Sequence, residues 1–413
     1  MVRIELPKDV KYIIGVLMEN GYEAYAVGGC VRDSLLGRIP GDWDITTSAL
    51  PLQVKALFRR TIDTGIQHGT VTVMLGKNGY EVTTYRIDGR YEDSRHPESV
   101  EFTPNLCEDL KRRDFTINAM AYNDEQGLVD VFDGVGDLER KIIRCVGNAH
   151  DRFDEDALRI LRAVRFSAQL GFDIEENTAG AAKELAVNLK KISSERIHTE
   201  FNKMLKSSHP EYFALADRIG IMEMVLPEYH GMSCEDKEFA GRFAKECACE
   251  LPERYAAMLL LSGREAQDTA SDICARALRR LKLDNDTINT AAMLVRWCTV
   301  TLTEDEAQLR HLIYKVGDGN IIRILLFRLA YEKCLGNDTN LVEKIIGSCK
   351  KILERGDCVS LKTLAVTGKE LIALGVPAGR QMGAILNELL MEVLDAPELN
   401  EKSILSEKAL KLL

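Results

Sequence analysis

The chain changes its patterning about a third of the way along, and that change bounds every fold open to it. Before residue 145, short β-favouring runs (Tyr25–Val27, Trp43–Thr46, Thr70–Leu75 and Tyr80–Tyr85) alternate with turn signals and short helical stretches. Lys77-Asn78-Gly79 carries an Asn-Gly turn signal, which predicts a hairpin between the last two runs. Val31–Leu36 and the stretch after Pro51 read as helices, proline being suited to a first helical turn. From about Asp154 onward the pattern is helical almost without relief. Asp156–Leu170 places Leu158, Leu161, Val164 and Phe166 on one face with arginines between them. Glu200–Leu205, Ala256–Leu261, Ile321–Leu329, Leu341–Ile352 and Ile385–Leu394 continue the theme. The expectation is an α+β domain on a small mixed sheet, then an all-α remainder. A chain of 413 residues exceeds one core, so about two to four domains are expected.

The densest chemical signal lies in the front part. Val27-Gly28-Gly29-Cys30-Val31-Arg32 takes a strand through two glycines into a helix. Glycine lets backbone N–H groups approach a polyphosphate, a helix N-terminus favours negative charge, and Arg32 offers a forked donor to the same phosphates. A Gly-Gly before a helix is weak alone; Gly41-Asp42-Trp43-Asp44-Ile45 just downstream strengthens it. On a strand, residues two apart share a face, so Asp42 and Asp44 project together while Trp43 and Ile45 face the core. Two such carboxylates repel, and a bound cation relieves them; oxygen ligands with open positions suit Mg²⁺ carrying substrate phosphates. The alternative for an isolated pair is two solvated aspartates on an edge strand. Glu81 lies on a neighbouring run, either as a third carboxylate or as a solvent-facing glutamate.

Two further clusters are basic. Lys111-Arg112-Arg113 enters Asp114-Phe115-Thr116-Ile117-Asn118-Ala119-Met120, read as an amphipathic helix from which Arg113 can reach phosphates or ribose. Asp156 and Arg159 are neighbours at i, i+3 on a helix, with Arg162 and Arg165 beyond. Such a pair is commonly a surface ion pair. It also suits base reading: cytosine and adenine present an amine donor beside a ring-nitrogen acceptor, which a carboxylate and a guanidinium complement. Uracil and guanine reverse that order, and unmatched buried polar groups are costly.

Composition narrows the setting. The net charge of −10 argues mildly against a nucleic-acid partner, but the local arginine clusters leave the question open. No apolar stretch nears the roughly 18 residues of a membrane span, and the N-terminus does not read as a signal peptide. Eleven cysteines without a CxxC pair fit reduced thiols in the cytoplasm; Cys247 and Cys249 read as two helix residues, not half a zinc site.

In order along the chain, GGCVRDSLLG with DWD, RRDFTINAMA, DGVGDLERKIIR at Asp133–Arg144, EDALRILRAVRF and SERIHTEF at Ser194–Phe201 resemble the class II tRNA nucleotidyltransferases. These are the bacterial CCA-adding enzymes and their poly(A) polymerase relatives, within the polymerase-β-type superfamily. The match covers roughly the first half of the chain. The resemblance implies a nucleotidyltransferase head over residues 1–145, a helical neck with a base-reading helix over 146–209, a helical body over 210–330 and a helical, tRNA-binding tail over 331–413. It implies Asp42 and Asp44 as metal-binding catalytic carboxylates, and Gly29, Arg32 and Arg113 as nucleotide contacts. Asp156 and Arg159 are then the protein template for CTP or ATP, with Arg162 and Arg165 as further contacts and Glu195-Arg196 bracing the template helix. The segment Asp88–Pro97 looks like the loop associated with adenosine addition, and Gly375–Leu386 resembles a tail segment that is either a tRNA phosphate contact or an ordinary loop-to-helix junction. His150-Asp151 precedes the base-reading helix instead of lying in a helical C-terminal half, so no phosphohydrolase activity is expected. The implied activity is Mg²⁺-dependent addition of C, C and A to tRNA. A poly(A) polymerase or A-only enzyme shares these motifs; a noncatalytic RNA-binding protein is the third alternative, against which intact Asp42 and Asp44 argue.

Overall fold

Ala24, Tyr25, Ala26 and Val27 are buried on both faces of their strand, the pattern of a strand at the centre of a sheet. A computed structural model describes residues 3–89, 100–262 and 267–412 and places that strand, β1 (Ala24–Val27), near the middle of seven. The others are β2 (Ile45–Thr47), β3 (Thr61–Gly65), β4 (Thr70–Leu75), β5 (Asn78–Thr84), β8 (Met120–Asn123) and β9 (Gly127–Asp130), in the order β3-β4-β5-β2-β1-β8-β9. β6 (Arg86–Asp88) and β7 (Val100–Phe102) pair separately. The large sheet is mixed: β2 runs parallel to β5 with Ile45 opposite Val82, and the other pairings are antiparallel.

Three of the four β runs read from the sequence become β1, β4 and β5 nearly as expected, whereas the Trp43–Thr46 run is shorter and begins only at Ile45. The hairpin turn also differs. Leu75 pairs with Asn78, so the two turn residues are Gly76 and Lys77. Gly76 has φ 63° and Lys77 is not left-handed, a combination that needs glycine at the first turn position; Asn78-Gly79 belongs to the strand.

Helices α1 (Lys8–Glu19), α2 (Gly29–Leu35), α3 (Pro51–Leu57) and α4 (Leu106–Lys111) surround the sheet. Tyr25, Val27, Tyr85, Leu106, Leu110, Ala119 and Ala121 form one apolar cluster between the sheet and α4. The segment after Lys111 corrects one expectation: the cation run leaves a short helix instead of entering one. Thr116–Asn118 is a single 3-10 turn leading into β8, because Phe115, Ile117 and Ala119 are all drawn into the core.

Beyond α5 (Gly134–Arg140) and the two-residue strands β10 (Ile142–Ile143) and β11 (Asp173–Ile174), this unit is helical: α6 (Ala149–Glu155), α7 (Leu158–Leu170), α8 (Glu176–Leu185) and α9 (Ser194–Leu205). Contacts close it at Met1–Gly231 with Arg280–Leu283. The second unit comprises Met232–Arg279 and Asp284–Leu413. Its helices include Cys234–Glu246, Asp318–Leu335, Asn340–Arg355 and Arg380–Asp395; the first two pack through Phe239, Phe243, Phe327 and Tyr331, with ring centroids 4.6–5.9 Å apart. Buried Arg310 donates from Nε to the Leu394 carbonyl at 2.6 Å, satisfying an otherwise orphaned helix end. Among the described residues no helix is long and apolar enough to cross a membrane.

Candidate active site

Gly28 sits where β1 hands over to α2. Its φ of 81° favours glycine, and a Cβ there would lie 3.1 Å from Arg113 Nη1, displacing that guanidinium slightly. Its N–H donates to the Met120 carbonyl at 3.1 Å, stitching the turn to β8. Asp42 and Asp44 lie just ahead of β2, not within it; Val27 N–H still donates to the Asp44 carbonyl at 3.0 Å, so the extended lead-in holds at Asp44. Ile45 is fully buried, Trp43 half-buried, and both aspartates are open to solvent.

Parallel pairing brings Glu81 to the same end of the sheet. One step back from the Ile45–Val82 pair, Asp44 and Glu81 stand at neighbouring positions on adjacent chains. Although Asp44 is exposed as a residue, its carboxyl is pushed above its ordinary range, first by partial loss of hydration and then by Asp42, while Arg113 opposes. Glu81 is raised for the same reasons, by lost hydration, then Asp44, then Asp42. Among the described residues no three His, Cys, Asp or Glu stand close enough together to hold a metal ion, and Asp42, Asp44 and Glu81 offer oxygen donors alone. That donor chemistry fits a hard divalent cation.

Arg113 is held in place from behind. Asp109, fully buried, accepts from Arg113 Nη2 at 3.3 Å, from Arg112 Nη2 at 2.8 Å and from Thr46 Oγ1 at 3.2 Å. Burial pushes the Asp109 carboxyl up, but Arg113 and Arg112 together bring it below its ordinary range.

Arg32 is buried and donates from Nη1 to Asn118 Oδ1 at 2.7 Å. Asn118 Nδ2 donates to Asp114 Oδ1 at 3.1 Å, and Asp114 Oδ2 accepts from Arg162 Nε at 2.9 Å and Nη2 at 2.5 Å. Arg32, Arg162 and Arg165 gather around one ring, Phe166, with guanidinium carbons 5.1, 5.5 and 3.8 Å from its centroid. Arg165, expected beside Arg162 as a nucleotide contact, is instead buried against Glu200, Nε to Oε2 2.6 Å, and burial pulls its guanidinium down to about 10.

The template pair is arranged differently from the expectation. The helix breaks at Asp156, which has φ −144° and ψ 103°, so it lies at the junction of α6 and α7 and not inside one helix. Its Oδ1 accepts from Leu158 N–H at 3.0 Å in the manner of a helix cap, and its Oδ2 accepts from Arg196 Nη2 at 2.8 Å. Arg159 turns to Glu155 Oε2 at 2.6 Å and to the Arg112 carbonyl at 3.2 Å. Asp114, Asn118 and Glu200 carry no site role in the sequence reading and Phe166 enters it only as an apolar position, although all four lie inside its motifs. The segment Asp88–Pro97 lies outside the described residues from 90 onward.

A seven-stranded mixed sheet with carboxylates at the entry to β2, followed by a helical remainder, defines the class: a nucleotidyltransferase with a polymerase-β-type head. The family model "Poly A polymerase head domain" matches residues 24–144, one described as "Probable RNA and SrmB- binding site of polymerase A" matches 171–232, and one for tRNA nucleotidyltransferase domain 2 matches 257–409. The CCA-adding enzyme of Pediococcus pentosaceus is 36% identical over 411 residues, 98% of each chain. That of Ligilactobacillus salivarius is 37% identical and covers 100% of this chain and 99% of its own. The Bacillus stearothermophilus CCA-adding enzyme, solved in complex with CTP, superimposes with a TM-score of 0.78 at 33% identity over 97% of this chain and 95% of that one. At 21% identity the Thermotoga maritima CCA-adding enzyme complexed with tRNA shares the fold, with a TM-score of 0.64 over 100% of this chain and 97% of its own. The chain belongs to the CCA-adding enzymes, the bacterial tRNA nucleotidyltransferases.

Proposed function

We propose that this CCA-adding enzyme completes the tRNA 3′ end with C, C and A from CTP and ATP, using Asp42 and Asp44 as its catalytic carboxylates and no nucleic-acid template. One observation carries the reading: β2 lies parallel to β5 with Ile45 opposite Val82, which sets Asp44 level with Glu81 at the entry to β2, two residues after Asp42. Asp42 and Asp44, with Glu81 beside them, are the residues that would hold divalent ions, Mg²⁺ by our reading. Such ions activate an RNA 3′-hydroxyl and neutralise a triphosphate and its leaving pyrophosphate.

The protein's own part is positioning and charge. Gly29 and Arg32 bind the triphosphate, and Arg113, braced by Asp109, faces phosphate or ribose. Arg162 and Arg165 contact the nucleotide from α7, Arg165 from its seat against Phe166 and Glu200. Asp156 accepts from the amine of cytosine or adenine while Arg159 donates to the ring nitrogen. The same pair meets uracil or guanine with like partners. The proposed division is head 1–145, neck 146–209, body 210–330 and tail 331–413, with the exposed turn at Pro377–Gln381 available to tRNA phosphates. All eleven cysteines are free, which supports a cytoplasmic setting.

The test uses tRNA ending at the discriminator base, with CTP and ATP supplied singly and together and the 3′ ends sequenced. Two additions with CTP alone, and a stop at three with both, are expected. Deleting Gly89–Arg95 is expected to spare the CC steps and abolish the terminal A. Long A tracts, or A added only to a tRNA ending in CC, would overturn the reading.

A further inference from the structure

Asn118 stands between two elements that handle different parts of the proposed nucleotide. Its side chain is buried in the turn between α4 and β8, with Arg32 of α2 on one side and Asp114 on the other. Beyond Asp114 lies Arg162 of α7, so one polar path runs Arg32–Asn118–Asp114–Arg162 through contacts of 2.7, 3.1 and 2.5 Å. The amide has no freedom within this path. Arginine can only donate and an ionised carboxylate can only accept, so the carbonyl must face Arg32 and the NH₂ must face Asp114. No aliphatic or hydroxyl side chain supplies an acceptor and a donor on opposite sides at that spacing. A second tie runs in parallel, since Arg32 and Arg162 both lie over the Phe166 ring.

We infer that Asn118 is a positioning residue that sets Arg32 against Arg162, so that the grip on the triphosphate and the hold from α7 are one coupled setting. This rests on the reading of Arg32 and Arg162 as nucleotide contacts. Without the carboxamide, Arg32 Nη1 loses its acceptor, and Asp114 Oδ1 keeps only the Phe115 N–H at 2.8 Å. Arg32 then keeps Asp33, whose Oδ1 accepts from its Nε at 2.9 Å, and Arg162 keeps Asp114, so each is still held but the two are no longer tied through the amide.

The experiment measures equilibrium CTP binding and steady-state CTP and ATP incorporation on tRNA, with thermal melting as a check on folding. Asn118→Ala is expected to raise KM for both nucleotides about tenfold with a smaller change in kcat, the scale of one charge-assisted hydrogen bond. The double variant Asn118→Ala/Arg32→Ala is expected to lose less CTP affinity than the two single losses summed, because part of the effect of Asn118 runs through Arg32. Additive losses, the signature of a purely structural role, overturn the inference. If Arg32→Ala leaves CTP affinity intact, it is the reading of Arg32 that fails. If Arg32→Ala weakens CTP binding and Asn118→Ala does not, the positioning role fails. Should Asn118→Ala not fold, the near-isosteric Asn118→Asp keeps the acceptor for Arg32 and removes the donor to Asp114. Its loss is expected to be non-additive with Arg162→Ala, and additivity there also overturns the inference.

Discussion

Arg196 donates to Asp156 Oδ2 across 2.8 Å, reaching from α9 to the break between α6 and α7 and setting the direction of that carboxylate. With Leu158 N–H on the other oxygen, Asp156 is aimed by two donors before any base arrives. Arg159 is aimed independently, through Glu155.

On the proposed template role of Asp156 and Arg159, base choice depends on Arg196 as well as on the pair itself. We predict that Asp156→Asn, whose amide can present a donor or an acceptor, lowers discrimination against UTP by about 100-fold, the scale of a lost polar match. Arg196→Ala should lower it by roughly tenfold, since it frees the carboxylate without changing its chemistry. Single-nucleotide incorporation with each of CTP, ATP, UTP and GTP measures both. Intact selectivity for C and A in Asp156→Asn and in Arg159→Ala would remove the template assignment.

For the carboxylates, Asp42→Ala is predicted to fold normally and lose at least about 10³ in turnover, a loss that added Mg²⁺ does not restore. Melting temperature and incorporation on tRNA are the two readouts. Near-normal turnover by a folded Asp42→Ala/Asp44→Ala variant would contradict the metal assignment.

The raised carboxyls of Asp44 and Glu81 carry a pH signature. The folded state holds protons on them more tightly than the unfolded chain does. Stability in chelator should therefore fall as pH rises from the ordinary carboxylate range through their raised values. The substitution Asp42→Asn removes one repelling charge, so this variant, free of metal, should melt about 1–2 °C higher than wild type near neutral pH, with the gap closing on acidification. A saturating divalent cation should reverse the order by stabilising the wild type more. Identical melting curves in chelator at both pH values would count against close carboxylates.

Asp114 predicts the opposite limb. Burial alone would raise its carboxyl, but Arg162 and Asn118 hold it far below its ordinary range. The stability it contributes is present above the ordinary carboxylate pKa and is lost as pH falls through the lowered value. Asp114→Ala removes the oxygen that accepts from both Arg162 Nε and Nη2 and should cost about 3–5 kcal/mol near pH 7, with a shrinking penalty in strong acid. Denaturant titration across pH measures this; a loss below about 1 kcal/mol would show that the Arg162 contact is not structural.

How much of this was legible beforehand follows from the range of each signal. Patterning alone located β1, β4, β5 and the helical remainder, because alternation and helical spacing report on residues two to four apart. The same short range brought Asp42 and Asp44 together and marked Gly28, whose turn is local. It erred where a local pattern met a non-local demand. Asp156–Leu170 reads as one helix, yet the chain opens at Asp156, where the carboxylate caps α7 and accepts from Arg196, forty residues away. The cation run before Asp114 resembles the start of a helix, but burial of Phe115, Ile117 and Ala119 draws the segment to the sheet.

The sequence by itself determined the division into a sheet-based front and a helical remainder, the paired aspartates, and the arginines set along α7. Only the tertiary structure decided that β2 lies parallel to β5, which puts Glu81 beside Asp44. It alone decided that Arg32 meets Asn118 across 86 positions and that Arg165 turns inward to Glu200. Spacing along a chain encodes which residues share a face, whereas the partner of a buried charge is whichever opposite group packing brings within reach. Leaving such a charge unpaired costs more than local propensity can repay, so the final pairing is settled across the fold.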